Sequence, residues 1–303
     1  MTISISWIRS PSKNTSELIV CSDSRLRSRG SMDQAQKIFP LDRGDICLAF
    51  CGDTQFAYPI FVQTATMVNN NIKTRTRGDD VTKVRELIGN VMNSLLNSWN
   101  LSEKEKEEEL RDTNILFTGW SWEYNRYEMG YFHFSQNKFL YNNGRSPKTN
   151  ANWKFKEKLR LIGDYKREYM DLLSLIIKKT YSDCELEGNK EISLDFEPLQ
   201  ALCNLIEQSK SNNELSNIGG AVQMVKVYKF SQSLPFVIQY NCGQRYLLGR
   251  RMEPWEITEK PILQLDKKYR GTIFYPLSNL NEIFVCSLLL LSYFLSLTNF
   301  INY

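Results

Sequence analysis

Near its start the chain carries four residues of the types that acyl transfer needs. Thr2 follows Met1 directly, Asp23 closes the apolar run ELIVCSD, Lys37 opens KIFPL, and Gly52 stands at the end of the apolar run in DICLAFCGD, just before Asp53. Initiator methionines are commonly removed before a small residue, and Thr2 would then hold a hydroxyl and a free α-amine on one residue. An α-amine titrates near pH ~8, close enough to neutrality to take the hydroxyl proton directly or through one water. That nucleophile–base pair needs no histidine. A Lys beside Thr2, held by Asp23, would lower the hydroxyl pKa and favour the neutral amine. Gly52, at the end of a buried strand, could turn its N–H toward an oxyanion with no side chain in the way.

The rest of the composition narrows the choices. The 303 residues include a single histidine, His133, so imidazole-based triads and the usual zinc sites have little to work with. Seven cysteines (21, 47, 51, 184, 203, 242, 286) form no CxxC pair, and several lie inside apolar runs, which reads as reduced core thiols in a cytoplasmic protein. Net charge is +4 with Lys and Arg spread along the chain, which gives no footprint for nucleic acid. The first apolar stretch alternates with Ser and meets Arg9, Pro11 and Lys13, so no secretory signal is expected.

The positioning elements follow from periodicity. ISISWI (3–8) and ELIVCSD (17–23) read as a hairpin that returns Asp23 beside the first strand. DICLAFCGD (45–53) reads as a buried strand. Residues 54–68 carry helical spacing, although Pro59 demands a kink or a late start. Residues 79–99 form an amphipathic helix on Val84, Leu87, Ile88, Val91 and Leu95. SEKEKEEEL (102–110) is a solvated charge run. Strands are expected at 114–120, 127–134, 138–143 and 158–164, helices at 165–180 and about 195–209, and a second hairpin from 219–230 and 235–241. Strands in blocks between helix pairs give an α+β class with mostly antiparallel sheets. Two such sheets, each covered by helices, make a four-layer αββα sandwich.

With these elements in order, the chain resembles the proteasome β-subunit type of N-terminal nucleophile hydrolases. It is similar to the bacterial branch that holds the ancestral β-subunit and the peptidase of the two-component ATP-dependent protease. The resemblance rests on Met-Thr before a strand, SDSR (22–25), KIFPL (37–41), LAFCGDT (48–54), ILFTGW (115–120), LIGD (161–164) and IGGAVQMVKVY (218–228). It covers about residues 1–230. It implies Thr2 as nucleophile, Asp23 and Lys37 as its electrostatic partners, and Gly52 as oxyanion donor. Asp164 stands where the family has a Ser that contacts the N-terminal amine, so an altered contact is implied. Leu215 and Ile218 stand where the family has an Asp and a Ser before the paired glycines, and Glu214 or Ser216 would replace them only with a shift of register. The resemblance further implies a peptide or protein substrate, no metal or organic cofactor, and a homo-oligomer; it leaves an ATPase partner open. The alternative is a catalytically silent relative that keeps the fold as a scaffold or binding subunit.

Residues 1–270 are expected to form the hydrolase-like domain, and 271–303 an apolar C-terminal tail. Within it, 283–301 (IFVCSLLLLSYFLSLTNFI) is uncharged and reaches the length of a membrane span. Its three Ser, its Thr and Asn, and the missing basic flank weigh against membrane contact. A tail anchor, a helix packed on a partner subunit and a sequence artefact all stay open.

Overall fold

The computed structural model describes residues 2–12, 14–27, 30–144, 146–147, 154–156, 158–181, 191–229 and 233–276. The expected run 283–301 lies outside the described residues. Among the described residues no helix is long and apolar enough to cross a membrane.

Two five-stranded sheets form the centre. In the first, strand Ile3–Ser12 lies between Leu159–Gly163 and Thr15–Ser22, followed by Gln223–Tyr228 and Ser233–Pro235, all antiparallel. In the second, the order is Ile38–Pro40, Ile46–Cys51, Asn114–Ser121, Arg126–Ser135 and Lys138–Asn142, again antiparallel throughout. Side chains of a strand alternate between its faces, and the burial follows that rule. Ile3, Ile5 and Trp7 pack outward from the first sheet against Leu173, Ile177, Leu202 and Leu205 of helices Lys166–Thr180 and Glu197–Gln208. Leu18, Val20 and Val225 face the other way and meet Ala49, Leu116 and Met129 of the second sheet. The outer face of the second sheet, with Leu48, Phe50 and Phe117, is covered by Ile60, Ile88 and Met92 of helices Thr54–Asn70 and Val81–Ser98. The chain is therefore the four-layer α+β sandwich that the block pattern predicts.

Two local expectations change. Residues 219–230 and 235–241 do not form a simple hairpin. On its outer side Gln223–Tyr228 pairs with Ser233–Pro235, and the Phe236 N–H adds one last bond to the Met224 carbonyl at 3.0 Å before the Phe236 side chain turns into the core and the chain leaves this sheet. Val237–Gln239 instead starts a third sheet, antiparallel to Arg245–Leu247 and parallel to Ile262–Leu265, which lies beyond the span of the family resemblance. Pro59 does not delay its helix either: Asp53 caps the N-terminus through the Phe56 N–H at 2.7 Å and the helix runs from Thr54. The charge run becomes a short helix, Glu103–Leu110, with Ser102 and Glu105 in a reciprocal capping box.

Candidate active site

The first two strands end at the same edge of the sandwich, and their parity decides what points inward. Ser4, on the opposite face from Ile3 and Ile5, reaches across the sandwich to the Phe50 carbonyl at 3.2 Å. Thr2 shares that parity and is held in line by its carbonyl, which accepts from Asp164 N–H at 2.9 Å. Its hydroxyl therefore points between the sheets. There it donates to Asp23 Oδ1 and accepts from Lys37 Nζ. Lys37 Nζ also bonds Asp23 Oδ1 at 3.0 Å, and neither side chain is exposed at all.

Asp23 is held from several sides. Its Oδ1 accepts from Ile3 N–H at 3.2 Å, and its Oδ2 from Arg25 N–H and Gly219 N–H, both at 3.1 Å. These backbone donors fix the carboxylate in place beside Thr2 and Lys37. Lys37 depends on Asp23 for its counter-charge, since burial pushes its ammonium below the ordinary value while Asp23 pulls it back.

One supporting residue escapes sequence reasoning. Gln223 is fully buried, its amide nitrogen donates to the carbonyls of Asp23 and Ala35 at 2.9 and 2.8 Å, and its Oε1 accepts from Lys37 N–H at 3.0 Å. It ties the Asp23 and Lys37 backbones together across sheets. The available signal was the polar Gln223 inside the mostly apolar run GGAVQMVKVY, which also carries Lys226.

Gly52 lies with Thr2, Phe50, Asp53, Thr54 and Asp112 around a cleft of about 320 Å³. Its φ of +101° belongs to the left-handed region, and a Cβ there would run into Thr113 and stand 2.9 Å from the Asp112 carbonyl. Its amide donates to no group among the described residues. Gly52→Ala should lose roughly 1–3 kcal/mol in urea denaturation, whereas an unchanged midpoint would show that the turn relaxes freely. The neighbouring Cys51 thiol is pushed up to about 11 by burial, so it offers no thiolate to the cleft at neutral pH.

Asp164 follows strand Leu159–Gly163 and sits beside Thr2. Its Oδ2 is buried without a hydrogen-bond partner among the described residues, and burial raises its carboxyl above the ordinary value. Leu215 and Ile218 are core residues of the helix-facing layer and offer no polar support. The structure thus brings Thr2, Asp23 and Lys37 into direct contact. Gly52 lies on the same cleft, and Asp164 is next to the Thr2 backbone.

No family model matches this sequence, and no curated protein matches it. Among solved structures it is similar to the Gly-1 mutant of Anbu from Hyphomicrobium sp. strain MC1, with 10% identity and a TM-score of 0.46 over 78% of this chain and 87% of that chain. Roles for the residues around Thr2 rest on their own geometry.

Proposed function

We propose that the chain is an N-terminal threonine hydrolase that cleaves amide bonds, with peptides as substrates, in the manner of the family its motifs resemble. The observation that carries the reading is the buried triad of contacts in which the Thr2 hydroxyl lies between Lys37 and a five-times-bonded Asp23. A threonine that served only as a strand end would have no use for a fully buried lysine, whose desolvation is costly unless paired.

In this reading Met1 is removed and the Thr2 amine becomes the general base. The amine takes the Oγ1 proton as Oγ1 attacks the scissile carbonyl. Lys37 lowers the charge cost on Oγ1, and Asp23 keeps Lys37 protonated and in place. The Gly52 N–H receives the developing oxyanion. Breakdown of the tetrahedral species protonates the leaving amine and leaves an ester on Thr2, which water, deprotonated by the same amine, then hydrolyses. Residues 1–270 act as the hydrolase-like unit, and a homo-oligomer is expected.

Asp164 takes a defined part. Its unpartnered Oδ2 would face the new ammonium at Thr2 and favour the charged amine. The base must be neutral to act, so this contact holds the acidic limb of kcat/KM at higher pH. Asp164→Asn should therefore move that limb to lower pH, by about one unit at most for a half-exposed carboxylate. A limb that moves upward would contradict the assignment.

The test of the whole reading is intact mass together with a fluorogenic peptide panel. Chains lacking Met1 that cleave peptides support it, and a uniformly retained Met1 with no cleavage refutes it. One observation favours the silent-scaffold reading: Leu215 and Ile218 give the amine no polar partner where the resembled family has an Asp and a Ser. Loss of Met1 without any cleavage would favour that reading.

A further inference from the structure

Behind Asp23, on the side away from Thr2, lies a second cavity of about 440 Å³, within the range that holds small organic ligands. Its floor is the Gly219–Ala221 segment and its walls are the end of helix Glu197–Gln208 and the third sheet. Three tyrosines line it. The hydroxyl of Tyr240 accepts from Val222 N–H at 2.9 Å, Tyr246 donates to Gln244 at 2.9 Å, and Tyr269 donates to Glu207 at 3.0 Å. Two of the three hydroxyls donate to protein groups and the third accepts from one, so these residues offer the cavity mainly ring surface. The Tyr240 and Tyr246 rings meet edge to face at 5.6 Å and 89°, a packing that fixes both planes.

The charges lining the cavity do not cancel. Asp33 is paired with Arg25 through two contacts of 2.6 and 2.8 Å, and Glu207 is held by Lys210 at 2.6 Å. What is left is Arg251, whose guanidinium has no partner among the described residues although its backbone N–H is anchored on Gln34 at 2.9 Å. The Gly220 amide likewise donates to nothing among the described residues. Gly220 has φ +70°, and a Cβ there would collide with the Asp33 carbonyl and Ser24 Oγ, so the backbone at the floor stays bare. Ring surface with one free guanidinium and one free amide is a receptor for a flat body carrying an acidic group.

We infer that this cavity is a binding site for a small planar aromatic anion, separate from the Thr2 cleft. It stands whether or not Thr2 is a nucleophile. Its floor touches the machinery described above, since Gly219 and Arg25 both donate their backbone N–H groups to Asp23 Oδ2.

The test titrates the full-length protein by isothermal calorimetry with 1-naphthoate, its neutral amide 1-naphthamide, and the aliphatic anion cyclohexanecarboxylate. Naphthoate should saturate with a Kd on the order of 0.1–1 mM, with both controls at least ~10-fold weaker. Arg251→Ala and Tyr246→Leu should each weaken naphthoate by about 10-fold, while Thr2→Ala should bind like the parent. Arg251 is exposed, so its substitution leaves the fold intact and decides the matter if Tyr246→Leu does not fold. Absence of saturation, equal binding of the three probes, binding indifferent to Arg251→Ala, or loss of binding in Thr2→Ala would each overturn the site.

Discussion

Thr2→Ala is expected to lower kcat/KM for any cleaved peptide by at least about 10³-fold, the scale seen when a covalent nucleophile is removed. Nothing else near the cleft can take over. The Cys51 thiol is held protonated by burial, and the Lys37 amine is occupied by Asp23 and Thr2. Thr2→Ser keeps the hydroxyl and the amine and should keep most of the activity. Thr2→Ser keeps both side-chain hydrogen bonds and should keep its stability, while Thr2→Ala gives up two at about 0.5–1.5 kcal/mol each and leaves Lys37 and Asp23 bonded to each other at 3.0 Å, so it should lose no more than about 3 kcal/mol. Full activity in Thr2→Ala would remove Thr2 from the chemistry; collapse of the fold would make it a structural residue.

Lys37→Met gives the second large effect, on stability and activity together. The methionine fills the volume but leaves the Asp23 carboxylate without the buried cation that pairs with it. Breaking a buried pair from one side costs about 3–5 kcal/mol, and the three backbone N–H groups on Asp23 place this case at the low end. Adding Asp23→Asn removes the stranded charge, so the double variant should regain part of that stability. It should regain no turnover, since neither charge that tunes the Thr2 hydroxyl is then present. Urea midpoints and kcat/KM for the wild type, single and double variants check both halves. A Lys37→Met protein as stable as wild type, or a double variant less stable than the single, would contradict the buried-pair account.

Much of this was legible in residues 1–54. Period-2 alternation in ISISWI put Ile3 and Ile5 on the helix face and Ser4 on the inter-sheet face, and the same parity aims Thr2 inward. Lys37 at the head of KIFPL reads from sequence as a partner of Thr2, and it is fully buried beside Ile38. What stayed hidden depends on contacts between distant segments. Gln223 lies 186 residues from Lys37, and no local pattern announces that its amide bridges two strand ends. The third sheet that follows Pro235 is set by long-range pairing of Val237–Gln239 with Ile262–Leu265, which no local pattern announces. The cavity behind Asp23 is likewise invisible in sequence, since its tyrosines and Arg251 meet only through that sheet.

The most direct measurement treats the full-length protein with a β-lactone, which acylates an activated hydroxyl by ring opening and adds its whole mass, and then maps the adduct by intact-protein and peptide mass spectrometry. The account predicts one adduct per chain, on Thr2, only on chains that have lost Met1, and none in Thr2→Ala. Retention of Met1 on every chain, or an adduct that persists in Thr2→Ala, would contradict it.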